Sequence, residues 1–195
     1  MARYTPAVAL LVVDVQNDFA DPGGGLYVPD GEQVVPVVAA EVHVAWESGS
    51  PVFYTQDWHP ADTPHFAKDG GTWPVHCVQH TRGAEFHPDI IDDPRIVVVS
   101  KGMGDEDNYS AFDGTNLAAL LRERGIEEVW VGGLATDYCV KNTVLDAVRE
   151  GFKVRAVEDA MRPVNLQPDD GAHAIDEMCR AGAKVILKDE GGGIE

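Results

Sequence analysis

The chain has 195 residues, 44% hydrophobic and 25% charged, which is enough to bury the core of one ordinary globular domain expected to span 1–195. A formal net charge of −18, from 33 acidic against 15 basic side chains, repels phosphate backbones and argues against nucleic acid as a partner. The longest apolar run, AVALLVV at 7–13, stops at Asp14; it is too short to span a membrane and lacks the basic flank and cleavage site of a secretory signal, so no membrane partner and a cytoplasmic location are expected.

In chain order, strand-like runs alternate with helical ones, a pattern that argues α/β with a parallel sheet. AVALLVVDV (7–15) is continuously apolar, as a central strand covered on both faces should be. In EQVVPVVAAEVHVAWESG (32–49), Val35, Val38, Val42 and Trp46 recur at helical spacing; Pro36 falls in the first turn and Gly49 is a stop signal. PVFYTQD (51–57) reads as the second strand and RIVVVSKG (95–102) as the third. Thr115 is placed to cap the helix NLAALLRERG, which Gly125 ends. EEVWVGGL (127–134) is the fourth strand, followed by a helix from about Cys139 to Arg149. KVRAVEDA (153–160), a helix near 169–181 and KVILKD (184–189) complete the alternation, and the tail GGGIE is expected to be disordered.

Residues 58–94 and 102–114 carry no long helix, and loops of that length in a compact domain are usually functional. Ligands of open parallel sheets bind beyond the carboxyl ends of the strands. Asp14 ends the first strand, Asp57 the second and Lys101 the third, and the fourth runs through LATDY to Cys139. An acid, a metal-ligand candidate, an amine and a thiol therefore converge on one rim.

Each of these residues also has a plainer reading: Cys139 as a packed thiol, Asp14 as a turn aspartate, Lys101 as an exposed strand-end lysine. Position favours chemistry for Cys139, because a sulfur at a helix N-terminus is biased toward thiolate and its neighbouring N–H groups can receive an oxyanion. Three cysteines are too few, and odd in number, for a disulfide framework. Cys77 reads as a bystander in an irregular loop and Cys179 as core. The stretch QDWHPADTPHFAKDGGTWPVHC (56–77) adds Asp57, His59, His65 and His76 in one loop that starts at a strand end. Asp57 and His59 alternate onto one side of an extended segment. This carboxylate and imidazole set suits a divalent ion such as zinc, with manganese or iron as alternatives. His43, His80, His87 and His173 have no such company.

Four blocks resemble the nicotinamidases of the isochorismatase-like cysteine hydrolase superfamily: VVDVQNDF (12–19) with the following GGGLYVPDG, DWHPADTPHF with TWPVHC, SKG (100–102), and GGLATDYCV (132–140). The resemblance covers nearly the whole chain. It implies a three-layer α/β/α fold whose six-stranded, mostly parallel sheet has the order 3-2-1-4-5-6. It further implies a catalytic Asp14, Lys101 and Cys139, an oxyanion hole at Ala135 and Cys139, and a cis Leu134–Ala135 peptide. The implied metal ligands are Asp57, His59 and His76, with His65 as a fourth ligand or as partner to a water on the metal. Phe19, Trp73 and Tyr109 match positions where aromatic side chains flank the substrate ring, and Leu134 is a further expected substrate-binding residue.

By this resemblance the expected activity is hydrolysis of nicotinamide to nicotinate and ammonia through a cysteine thioester, with one divalent metal anchoring the pyridine nitrogen. Pyrazinamide is an expected second substrate, and self-association is left open. The sequence departs from common members in a shortened loop between His65 and His76, and in Tyr138 where a histidine often precedes the cysteine. Three competing readings remain at this stage: a metal-independent relative acting on a carbamoyl or ureido substrate, a metallohydrolase with direct hydroxide attack, and a non-catalytic binding protein.

Overall fold

The computed structural model describes residues 3–106 and 108–187. Its strands are β1 (Val8–Val13), β2 (Val52–Asp57), β3 (Val97–Lys101), β4 (Glu128–Leu134), β5 (Lys153–Arg162) and β6 (Lys184–Ile186). The helices are α1 (Asn17–Ala20, a single turn), α2 (Val34–Glu47), α3 (Leu117–Glu123), α4 (Lys141–Arg149) and α5 (Asp170–Ala181). The strands form one sheet in the order β3-β2-β1-β4-β5-β6, and every pairing is parallel. This is the order the resemblance implies.

The alternation of β1 explains the layers. Val8, Leu10 and Val12 face one side and pack with Val34, Val35, Val38, Val42 and Ala45 around α2. Ala9, Leu11 and Val13 face the other and pack with Leu117, Leu121, Val144, Ala147 and Met178 from α3, α4 and α5. Covering both faces is why β1 has to be apolar throughout. Each fully buried Val or Leu contributes roughly 1.5–3 kcal/mol, so the central strand alone is a large part of what holds the layers together.

Strand order reverses beside β1, since the chain moves out through β2 and β3 and returns through β4 to β6. That switch point opens a crevice at the carboxyl ends of β1 and β4. The approach there is close: Gly133 has φ +131°, and a Cβ at this position would lie 2.0 Å from the Val13 carbonyl oxygen. No side chain fits between the two strand ends.

Several sequence expectations shift. The helix expected from Cys139 begins earlier, as a π-helical turn over Thr136–Val140 that leads into α4. The N-cap of α3 is Asn116; Thr115 supports the turn by accepting the Leu117 N–H through Oγ1 at 3.2 Å. Cys179 is exposed rather than core, because the buried face of α5 is Gly171, Ala174 and Met178, and the next residue is rotated about 100° away. Residues 58–94 hold only short 3-10 turns, at Ala67–Asp69 and Arg82–Ala84. The GGGIE tail lies outside the described residues.

Candidate active site

Sheet register brings the strand-end side chains together. Asp57 pairs with Lys101 across β2 and β3, and Val13 pairs with Thr55 across β1 and β2. Asp14, the first residue past β1, turns at φ +50°, and its Oδ1 accepts a 2.6 Å hydrogen bond from the Thr55 hydroxyl. The Lys101 ammonium lies 2.8 Å from Asp14 Oδ2, touches Asp57 Oδ1 and sits 3.5 Å from Cys139 Sγ. A carboxylate oxygen of Asp14, one of Asp57 and the sulfur of Cys139 all fall within 4.8 Å of one another. Lys101 is 2% exposed, which rules out the exposed strand-end reading.

The electrostatics follow from burial. Loss of water pushes the Asp14 carboxyl above the ordinary carboxylate range, against the pull of Lys101. Burial also acts to lower Lys101, but Asp14 and Asp57 together outweigh it and hold the amine well above its usual value. Asp57 is likewise opposed by burial, yet Lys101, His59 and His76 hold it below the normal range. Cys139 is pushed well up by burial, with Asp14 and Asp57 adding to the effect and Lys101 opposing it. Desolvation and the two neighbouring carboxylates thus oppose the bias toward thiolate expected at the start of a helix.

The metal candidates meet on the far side of Asp57. The Nε2 atoms of His59 and His76 lie 3.5 and 3.9 Å from Asp57 Oδ2. His59 Nδ1 is 2.9 Å from the Gly102 carbonyl oxygen, and His76 Nδ1 is 2.7 Å from that of Pro74. A carbonyl only accepts, so each Nδ1 carries a proton, which leaves each Nε2 as the ring nitrogen that a cation could take. Two buried carboxylates face one ammonium here, which leaves uncompensated negative charge. A preset nitrogen, nitrogen and oxygen triangle with a charge deficit fits a divalent cation. His65 is buried beside the triangle, its ring centroid 5.5 Å from that of His59, but it is not one of the three.

Cys139 and the triangle open onto one narrow cavity of about 40 Å3, counted as space for the centres of water-sized molecules. Phe19, Trp73 and Tyr109 line it, as do Ala135 and His65. Trp73 donates its Nε1–H to the Tyr109 hydroxyl at 2.9 Å, and Tyr138 packs edge-on against Trp73 with centroids 4.9 Å apart. Leu134, expected to bind substrate, is buried in the core that packs on α2 and is not among the residues that line the cavity. The Leu134–Ala135 peptide is cis.

Sequence reasoning missed five residues that shape this site. Leu26, Val28, Asn108 and Val164 line the cavity, and Thr55 holds Asp14. Leu26 and Val28 fall within the GGGLYVPDG block without being marked individually, whereas Thr55, Asn108 and Val164 reach the site through the fold rather than through local spacing.

Residues 8–190 match the family model for the isochorismatase domain. The nicotinamidase of Escherichia coli (strain K12) is 43% identical over 202 residues, an alignment covering 92% of this chain and 94% of that protein. The crystal structure of the pyrazinamidase of Pyrococcus horikoshii in complex with zinc superposes with a TM-score of 0.89 at 42% identity, covering 93% of this chain and 99% of the other. PnC1 from L. infantum in complex with nicotinate gives 0.87 at 34%, covering 95% and 96%. A family-model match along nearly the whole chain and relatives of this similarity place the protein in the isochorismatase family.

Proposed function

We propose that the protein is a nicotinamidase that hydrolyses nicotinamide to nicotinate and ammonia, and that it also accepts pyrazinamide. One observation carries this reading: Cys139 and the Asp57, His59 and His76 triangle line a single cavity, and the Lys101 ammonium behind it touches Asp14, Asp57 and the Cys139 sulfur. The kinship to nicotinamidases and to a zinc-bound pyrazinamidase supports it.

In this reading Asp14, its basicity raised by burial, takes the proton of the Cys139 thiol. The thiolate attacks the carboxamide carbon, and the carbonyl π electrons move onto oxygen. Backbone N–H groups of Ala135 and Cys139 receive that oxyanion. Its collapse breaks the C–N bond, and Asp14 returns the proton to the leaving ammonia. Water then gives a proton to Asp14 and adds to the thioester, which releases nicotinate and restores the thiol. Lys101 keeps negative charge tolerable throughout, since it bridges both carboxylates and lies against the sulfur.

A divalent cation, zinc by preference, held by Asp57, His59 and His76 supplies a positive anchor for the ring nitrogen when bound, so that the carboxamide is presented to the thiol. His65 takes an outer place beside that anchor. Phe19, Trp73 and Tyr109 close around the ring. A cytoplasmic location and a small-molecule partner complete the reading. In support of it, all three cysteines are unpaired, and among the described residues no helix is long and apolar enough to cross a membrane.

Ammonia release from nicotinamide tests the proposal. The protein with added Zn2+ should turn over, Cys139→Ala should lose at least about 1000-fold, and chelation should abolish activity reversibly. Undiminished turnover after chelation would favour a carbamoyl or ureido substrate. Substantial activity in Cys139→Ala would favour direct attack by a metal hydroxide.

A further inference from the structure

Gln16, Asn17 and Asp18 directly follow the acid-bearing turn, and none of them lines the cavity. Gln16 is wholly buried. Its Nε2 donates to the backbone carbonyls of Asp57 at 2.8 Å and Ala84 at 2.9 Å, while its Oε1 accepts the Asp57 N–H at 2.8 Å. One side chain therefore holds both polar groups of the Asp57 backbone. Asp18 Oδ2 accepts the N–H of Cys77 at 2.7 Å, which is the peptide joining His76 to Cys77, and its Oδ1 accepts the Gly25 N–H at 2.8 Å. Asn17, between them, donates its side-chain Nδ2–H to the carbonyl of Arg82 at 2.7 Å, a bond to a residue outside the triangle.

We infer that Gln16 and Asp18 are positioning residues for the metal site: they fix the backbone of Asp57 and of the His76–Cys77 peptide so that carboxylate and imidazole converge on one cation. The inference rests on the reading of Asp57 and His76 as ligands. Its physical basis is tolerance. Bonds to zinc are about 2.0–2.2 Å long and demand placement to a few tenths of an ångström, whereas Asp57 ends a strand and His76 lies in an irregular loop. The Nδ1 bonds orient the histidine rings and backbone pairing ties Asp57 to β3 and His59 to Cys77, but the Asp57 N–H and carbonyl and the Cys77 N–H are held by the side chains of Gln16 and Asp18. Gln16 and Asp18 supply that anchor from the segment that also carries Asp14, so ligand geometry and catalytic acid are set by one short piece of chain.

The test measures Zn2+ affinity of the metal-free full chain by competition with a chromogenic chelator, with circular dichroism and thermal unfolding as the check on folding. Gln16→Met and Asp18→Asn should weaken Zn2+ binding about 10- to 100-fold, the usual cost of losing a support behind a ligand. Asn17→Ala, which removes a comparable buried bond aimed elsewhere, should stay within about twofold of wild type. Asp18 is only half-buried, so Asp18→Asn carries the test if Gln16→Met does not fold. Wild-type affinity in Asp18→Asn and in any folded Gln16→Met overturns the inference, as does equal weakening in Asn17→Ala, which would mean general loosening. A wild-type chain that binds no Zn2+ overturns the metal reading itself, a different result from wild-type binding that the variants leave unchanged.

Discussion

At the residue scale, Gly102 shows how tightly the ligands are held. It follows Lys101 directly, adopts φ +69°, and its carbonyl accepts the Nδ1–H of His59. A Cβ here would lie 2.5 Å from His59 Cε1. Gly102→Ala is therefore expected to push the imidazole away from Asp57, in addition to the roughly 1–2 kcal/mol cost of a left-handed alanine. Zn2+ affinity should fall at least about tenfold, by isothermal titration, and activity at limiting metal should fall with it. Unchanged affinity would mean that His59 is not held through this carbonyl. Lys101 and Cys139 make a related point: burial alone pushes the thiol up, so a sulfur nucleophile at this place depends on Asp14 as an internal proton acceptor rather than on ambient pH.

At the element scale, the site is a junction of loops fixed by a few side chains. The Asp137 carboxylate, in the π-helical turn that carries Cys139, accepts the N–H groups of Val164 and Asn165, both at 2.9 Å. Val164 lines the cavity, so Asp137 ties the turn that carries Cys139 to the wall formed after β5. Asp137→Ala leaves two backbone donors without their acceptor and should cost about 1.5–3 kcal/mol in urea unfolding. The substrate-facing wall then loosens, so KM for nicotinamide should rise several-fold more than kcat falls. A drop in kcat alone would place Asp137 in the chemistry of Cys139 rather than in the wall. The bond from Trp73 to Tyr109 and the edge contact from Trp73 to Tyr138 join two further segments to the same turn.

At the scale of the whole molecule, negative charge shapes behaviour twice. The surface carries most of a net charge of −18, and the buried site holds two carboxylates against one ammonium. A divalent cation that binds only the folded chain should relieve the buried imbalance and stabilise the fold. At a free concentration 100 times its Kd it contributes about 2.7 kcal/mol. Thermal unfolding should accordingly shift upward by several degrees with Zn2+, and return to the metal-free midpoint with chelator. The same shift should persist in Cys139→Ala, because the sulfur is not one of the three ligands; loss of the shift there would mean the cation sits on the thiol.

Periodicity and short motifs are local properties, so the α/β alternation, the buried β1, the six strands and the convergence of Asp14, Asp57, Lys101 and Cys139 on one rim are legible in the chain alone. Resemblance of four ordered blocks added the strand order and the roles of these residues with His59 and His76. How they are held and charged follows from the folded arrangement. Thr55 and Gln16 each act across 41 residues of chain, and Asp18 reaches Cys77 across 59, separations at which no spacing rule operates. Leu134 went to the core and Cys179 to the surface because sheet alternation and helix phase outrank the neighbourhood in which each is read. The push on the Cys139 thiol away from its ionised form comes first from desolvation, a quantity that exists only once the chain has closed around the sulfur.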